Sequence, residues 1–174
     1  MQDPNVQLWC EDEAHFQRHT NFIRMWAYQG QQPSHLRPSV RHKVAFLGAL
    51  NLKNGQMVTE ETSTFSASSF QDFVRHLLEV TRGKLCLILD NARWHHSQNL
   101  NNFYLKNRER LALLFLPPYS PELNPVERVW RITRRIVTHN RYFASLDELR
   151  SSLTAQFAHW NLPNSILKVL CANI

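Results

Sequence analysis

Cysteine is scarce in this 174-residue chain, and its three copies are odd in number and widely separated, at positions 10, 86 and 171. That spacing excludes a zinc knuckle and provides no disulfide framework. Cys10 and Cys86 lie within apolar runs, where a small buried thiol is the usual state. The sequence therefore predicts a protein without disulfides, in a reducing cytoplasm.

Long apolar runs and nucleophile motifs are missing as well. No stretch reaches the roughly 20 apolar residues that a helix needs to cross a bilayer. The N-terminus lacks the charged head and apolar run of a signal peptide. The chain contains no G-x-S-x-G motif and no clear catalytic triad. These absences argue against a membrane partner and give no support for catalysis by a protein nucleophile.

The composition is that of an ordinary globular protein with a basic balance. Apolar residues make up 43% and charged residues 20%, and the length suits one domain over residues 1–174. The formal net charge is +6, and 15 of the 20 cationic side chains are Arg. Because the guanidinium fork suits phosphate oxygens, this favours a polyanionic partner, although many small basic proteins have none.

Period-two alternation in the N-terminal part of the chain predicts strands. Val6 to Cys10 alternates apolar and polar residues, and a second extended run covers Phe22 to Tyr28 before a polar loop. The segments Val44–Leu52 and Gln56–Ser63 are typical of a hairpin with Asn54-Gly55 as its turn.

Helical spacing begins after this hairpin. Apolar residues from Phe70 to Leu78 recur every three or four positions, which predicts a helix. Ser68 and Gln71 match a capping box at its start, and Gly83 matches a stop. Three further helices are predicted to begin after Ser97, Asn124 and Ser145.

Two continuous apolar runs, Leu85–Leu89 and Leu111–Leu116, lie between the predicted helices. Such runs are typical of strands that are covered on both faces. A meander of strands followed by alternating helices and strands predicts an α/β fold: a mixed sheet flanked by helices, with a ribonuclease-H-like layout.

Three carboxylates lie at the ends of these predicted elements. Asp12 ends the first strand, Asp90 follows the buried strand, and Glu127 lies in the first turn of the helix after Asn124. If the first and fourth strands are neighbours, Asp12 and Asp90 emerge side by side. Clustered carboxylates repel one another unless a cation neutralises them. Mg²⁺ prefers hard oxygen ligands, and two such ions about 4 Å apart support phosphoryl transfer without a protein nucleophile.

Each acid also has a purely structural interpretation. An Asp at a strand end, such as Asp90, often shapes the following turn. Asp12 lies between Glu11 and Glu13, and an acidic trio of this kind is typical of a solvated strand end. The segment Asn124–Glu127 has the form of a capping box with Pro at the first helical position.

Three blocks of sequence surround the acids: Asp12–Phe16, Leu89–His95 and the Pro-rich segment Leu116–Trp130. In this order, with 36 residues between Asp90 and Glu127, they resemble the signature of mariner-type transposases of bacterial insertion sequences. These enzymes belong to the DDE superfamily of endonucleases. The Pro-rich block is highly specific, whereas the first block alone is weak. The resemblance covers nearly the whole chain, but only the catalytic half of the usual protein.

Carried over position by position, the resemblance implies that Asp12, Asp90 and Glu127 bind two Mg²⁺ ions, with Mn²⁺ as a substitute. Asn91 and His95 occupy family-typical positions, which implies a supporting role in the site or a DNA contact. Structural roles are expected for the other nearby acids, Glu11, Glu13 and Glu122, and His96 is the weaker candidate of the two adjacent histidines.

The function implied by the resemblance is transposition: cleavage of DNA at transposon ends and transfer of the strand into target DNA. The expected partner is double-stranded DNA, with a homodimer as one arrangement in the complex, in the bacterial cytosol at the nucleoid. Relatives carry an N-terminal helix-turn-helix region, and the sequence shows none. Two alternatives are another ribonuclease-H-like nuclease without strand transfer and an inactive transposase-derived DNA-binding module.

A basic helix follows the third acid. Its cationic residues are Arg128, Arg131, Arg134 and Arg135. They are candidates for phosphate contacts beside the metal ions, and the alternative is a solvated flank with an ion pair between Glu127 and Arg131. Only two acidic residues follow Glu127, which favours phosphate contacts. Trp130 lies on the apolar face and is predicted to be part of the core.

Overall fold

A computed structural model of the chain describes residues 5–18, 26, 28–30 and 42–171. The extended run predicted over Phe22–Tyr28 and the loop after it lie largely outside these residues. No helix in the described ranges is both long and apolar enough to cross a membrane.

A mixed five-stranded sheet forms the centre of the described part of the chain. Its strands are β1 (Val6–Gln17), β2 (Lys43–Asn51), β3 (Met57–Thr62), β4 (Lys84–Leu89) and β5 (Leu111–Phe115), in the order β3-β2-β1-β4-β5. The first three strands form an antiparallel meander, and β4 and β5 run parallel to β1. The predicted hairpin is therefore confirmed, and the first and fourth strands are neighbours, which is the condition for Asp12 and Asp90 to emerge side by side.

Helices cover both faces of this sheet. They are α1 (Ala67–Val80), α2 (Asn101–Asn107), α3 (Pro125–Thr133), α4 (Leu146–Trp160) and α5 (Ser165–Cys171). A π-helical turn, Arg134–Thr138, continues α3. The short helix α5 was not predicted. Its sequence signal is Asn164, whose side chain accepts hydrogen bonds from the Ile166 and Leu167 backbone N–H groups.

The side-chain alternation of β1 divides the core into two layers. Trp9 packs with Phe70, Phe73 and other residues of α1 on one face of the sheet. Cys10 faces the opposite layer, which contains Trp130 of α3 and residues of α4. Burying a large apolar side chain contributes about 1.5–3 kcal/mol, so each layer fixes the position of its helices against β1.

The predicted start and stop signals of α1 are both wrong. The capping box of α1 is formed by Ser66 and Ser69, not by Ser68 and Gln71, because Ser66 is the last residue with extended backbone. The helix ends at Val80, so Gly83 does not stop it. Gly83 has a φ of +82° beside the Asn5 carbonyl, so it allows the turn into β4.

The strand β5 is less buried than its apolar sequence predicted. It lies at the edge of the sheet, and the side chains of Leu114 and Phe115 are exposed. A continuous apolar run therefore indicated the strand correctly but not its position in the sheet.

Gly48 of β2 lies opposite Asp12, and its lack of a side chain leaves room for the Trp130 ring to pack against β2. Asp12 and Gly48 are cross-strand partners, and a Cβ atom on Gly48 would lie 2.4 Å from the Trp130 ring and 2.6 Å from the Met57 methyl group. We expect Gly48→Ala to lower the free energy of unfolding by about 1–3 kcal/mol, as overpacked core variants do. Urea denaturation would measure this, and an unchanged midpoint would contradict the packing.

Candidate metal centre

Asp12 and Asp90 lie just past the end of the ladder that joins β1 and β4. The last paired residues of these parallel strands are Cys10 and Ile88, and the two acids follow at matching positions. Asp12 does not end its strand, as the sequence had suggested, because β1 continues to Gln17 and pairs with β2 there. The parallel register nevertheless brings both carboxyl groups to one edge.

Asn124 ties the start of α3 to the same edge. Its side-chain Nδ2 donates to the Glu11 carbonyl at 2.9 Å, and its Oδ1 accepts from the Val126 backbone N–H at 3.1 Å. The backbone N–H of Asn124 donates to the Pro121 carbonyl, so Glu127 does not complete the capping box that the sequence suggested. Glu127 therefore enters the site from the first turn without a capping role.

The three acids line one open cleft of about 430 Å³. One carboxylate oxygen from each of Asp12, Glu13 and Asp90 lies within 4.8 Å of the others. Glu127 belongs to the same lining. The rest of the lining comes from residues that follow β4 and β5, namely Asn91, Ala92, Leu116, Pro117, Pro118, Tyr119, Ser120, Pro121 and Asn124.

Asp12 is the most perturbed carboxyl group of this cleft. Burial, and to a smaller extent the neighbouring charges of Glu127, Glu13 and Asp90, together raise its pKa to about 8. Trp130 Nε1 donates to Asp12 Oδ2 at 3.0 Å, so this predicted core residue also orients the carboxyl group. A divalent cation would remove the mutual repulsion, and the all-oxygen donor set fits Mg²⁺ or Mn²⁺.

The Asp90 carboxyl group is held by residues that closely follow it in the chain. Its Oδ1 accepts from the Ala92 backbone N–H at 2.8 Å, and the hydrogen bond with His95 lowers its pKa. His95 Nδ1 lies 3.1 Å from the Asp90 carbonyl oxygen. Asn91 Nδ2 donates to the Leu116 carbonyl at 2.6 Å, so it links the end of β4 to the loop after β5.

Glu11 and Glu13 lie closer to the site than the sequence had suggested. Glu13 Oε1 accepts from Trp94 Nε1 at 2.8 Å and lies 3.5 Å from His95 Nε2. Glu11 Oε2 lies 3.6 Å from the same nitrogen. The sequence signal that could have shown this is the spacing of two residues between Glu11 and Glu13 in β1, because alternate residues of a strand share a face. The interpretation of Glu11 as part of a solvated strand end is therefore wrong, because Glu11 is buried.

The four arginines of the basic helix have different surroundings. Arg128 donates to the Leu170 carbonyl at 2.8 Å and so ties α3 to α5. The Arg134 guanidinium lies over the Phe16 ring at 5.4 Å. Arg131 and Arg135 are exposed, and within the described part of the chain neither forms an ion pair. The suggested pair between Glu127 and Arg131 is absent there.

Comparison with known proteins identifies the family of the chain. A family model described as "DDE superfamily endonuclease" matches residues 7–150. The uncharacterized protein y4pE/y4sA of Sinorhizobium fredii is 41% identical over 91 residues, which cover 49% of this chain and 62% of that protein. The insertion element IS630 uncharacterized 39 kDa protein of Shigella sonnei is 27% identical over 144 residues, covering 82% and 42%. The chain thus spans less than two thirds of each relative.

Solved structures share the fold. The Mos1 transposase paired-end complex with left transposon end superposes with a TM-score of 0.73 at 17% identity, covering 95% of this chain and 51% of that chain. The Mos1 mariner paired end complex with Mn gives 0.71 at 18% identity, with coverage of 95% and 51%. These matches show the predicted ribonuclease-H-like fold. Because the family model matches most of the sequence, the chain belongs to the DDE superfamily of endonucleases.

Proposed function

We propose that this chain is a transposase catalytic domain that cuts DNA at transposon ends and joins the freed strand to target DNA. Asp12, Asp90 and Glu127 would hold two Mg²⁺ ions, which Mn²⁺ can replace. The observation that carries this proposal is the convergence of carboxyl groups from β1, β4 and α3 in one open cleft. The raised pKa of Asp12 supports a cation as their missing counter-charge.

The protein's part in the reaction is to place and neutralise the reacting groups. Asp12, Asp90 and Glu127 would supply the carboxylate ligands that hold the ions in the cleft. When bound, the ions activate the attacking oxygen and stabilise the leaving oxygen. Water attacks the phosphorus at the transposon end in line and displaces the 3′-oxygen, which leaves a 3′-hydroxyl on the transposon and a 5′-phosphate on the flanking DNA. That hydroxyl then attacks a phosphodiester of the target, whose own 3′-oxygen departs.

Double-stranded DNA is the proposed partner, with a homodimer as the arrangement that brings two ends together. Exposed Arg131 and Arg135, on the helix that carries Glu127, suit phosphate contacts. The solved Mos1 complex holds a transposon end, which supports DNA as the substrate of this fold. Because phosphate contacts release counterions, DNA affinity is expected to fall steeply as salt rises.

Tyr119 presents an aromatic ring at the rim of the cleft. Its side chain is fully exposed, and its φ of +58° is a strained value for a bulky residue. Stacking of an unpaired nucleobase on an aromatic ring contributes about 1–3 kcal/mol. We therefore expect Tyr119→Ala to weaken binding of a DNA duplex with unpaired bases at its end roughly 5–150-fold, as measured by fluorescence anisotropy.

The matched control is Tyr119→Phe, which keeps the ring and loses the hydroxyl group. It is expected to bind DNA as the wild type does. If Tyr119→Phe weakens binding as much as Tyr119→Ala, the hydroxyl group and not stacking makes the contact.

A joining assay tests the proposed function. A labelled DNA duplex with free 3′-hydroxyl ends is incubated with the protein, a supercoiled plasmid and Mn²⁺ or Mg²⁺. Label that becomes covalently joined to the plasmid supports strand transfer. Cleavage without joining indicates the alternative nuclease, and DNA binding with neither reaction indicates the inactive binding module.

A further inference from the structure

Behind the cleft, on the face of β1 opposite Asp12, lies a carboxyl group whose role is not explained by the metal ligands. Glu11 is buried, and neither of its side-chain oxygens has a hydrogen-bond partner among the described residues. Burying a carboxylate without such bonds is costly. The ion-pair contact of Glu11 among the described residues is with the imidazole of His95, whose Nε2 lies 3.6 Å from Glu11 Oε2.

His95 is enclosed on every side. Its side chain is fully buried, and its ring packs on Phe70 with centroids 4.4 Å apart. The Tyr104 hydroxyl donates to the His95 carbonyl at 2.9 Å. Nδ1 faces Asp90, at 3.1 Å from the carbonyl oxygen and 3.4 Å from Oδ1. One edge of the ring thus faces a proposed metal ligand, and the other faces Glu11.

We propose that Glu11 is a positioning residue that acts through His95 to hold the Asp90 carboxylate in its metal-binding orientation. This inference rests on the proposed function, because it concerns the same ions. Glu13 also approaches His95 Nε2, but it accepts a hydrogen bond from Trp94 and reaches the acids of the cleft. Among the described residues, Glu11 makes no hydrogen bond through its side chain, and its ion-pair contact is with the imidazole, 3.6 Å away.

The expected size of the effect follows from outer-shell residues of metal sites. Removing a group that orients a ligand typically weakens metal binding about 10–100-fold. We expect Glu11→Gln, which preserves size and replaces one carboxyl oxygen with an amide nitrogen, to weaken Mn²⁺ binding about tenfold. His95→Asn keeps an amide near the position of Nδ1 and removes the edge that faces Glu11, so a similar loss is expected.

The decisive experiment is a double-mutant cycle on the Mn²⁺ dissociation constant, measured by electron paramagnetic resonance of the free ion without DNA. If Glu11 acts through His95, Glu11→Gln has no further effect once His95→Asn is present. The control is His96→Asn, because the adjacent His96 is exposed and stacks on Phe115. It is expected to bind Mn²⁺ as the wild type does.

The outcomes separate this inference from the proposed function. Additive losses would mean that Glu11 acts by its charge alone, and equal binding by Glu11→Gln and the wild type would remove its role; both overturn the positioning inference only. A wild type that binds no Mn²⁺ overturns the proposed function as well. Thermal melting checks that each variant folds. If His95→Asn does not, His95→Gln breaks the same link at the Asp90 edge.

Discussion

Glu127→Gln is expected to abolish DNA cleavage and joining, by at least about a thousandfold, while the protein stays folded. The charge of Glu127 is needed by a hard cation, and losing about 4 kcal/mol of metal-based stabilisation of the transition state corresponds to that factor. The free energy of unfolding is expected to change by no more than about 0.5 kcal/mol. Asn124 caps α3 without help from Glu127, so the substitution leaves the cap intact.

The matched control is Glu122→Gln, in the short 3₁₀ turn just before α3. Glu122 is exposed and does not line the cleft, so this variant is expected to keep its activity. Both variants are compared by the joining assay and by thermal melting. Wild-type activity in Glu127→Gln would remove Glu127 from the metal centre, and loss of folding would assign it a structural role.

The stability of the metal-free protein is expected to fall as pH rises from about 4 to 8. The pKa of Asp12 is about 8 in the folded protein against an ordinary value of 3.8. Between these values the unfolded chain loses the proton that the folded chain keeps, so unfolding becomes more favourable with rising pH. Glu11, whose pKa burial also raises, acts in the same direction. We expect Asp12→Asn to reduce this dependence and to leave the part that Glu11 contributes.

At pH 8, Asp12→Asn is expected to be more stable than the metal-free wild type by on the order of 5 kcal/mol. Its amide oxygen can still accept the hydrogen bond from Trp130. Mn²⁺ should raise the melting temperature of the wild type, more at pH 8 than at pH 5, because a ligand selective for the folded state stabilises it. It should have little effect on Asp12→Asn.

Calorimetry at several pH values, with and without Mn²⁺, measures both effects. The control is Asp72→Asn, because Asp72 pairs with Arg75 on the exposed face of α1. This variant is expected to keep the wild-type pH dependence and the response to Mn²⁺. A pH dependence unchanged in Asp12→Asn would show that other groups cause it.

The meeting of Asp12 and Asp90 was predictable only on the condition that β1 and β4 are neighbours in the sheet. An apolar run before Asp90 indicated a buried strand, and the ends of neighbouring parallel strands meet at one edge of a sheet. The position of Asp12 within its own strand was not predictable. It depends on β2, which continues to pair with β1 after the ladder with β4 has ended.

The role of Glu127 could not be decided from its own segment, because a capping box and a metal ligand require the same residue type at the same place. The structure excludes the capping box, because the Asn124 backbone N–H group donates to the Pro121 carbonyl and not to the Glu127 side chain. The contacts of Trp130 with Asp12 and of Arg128 with Leu170 are likewise invisible in a helical pattern.

The sequence by itself determined the alternation of strands and helices, the three acidic blocks and the family, because these depend on local periodicity and on motifs. Only the tertiary structure decided that Glu11 faces His95, 84 residues away, in a buried space. On a strand whose polar and apolar residues alternate, a carboxyl group gives the same sequence pattern whether it faces solvent or a buried core. Its environment is set by which distant segment packs over it, and that is a property of the whole fold.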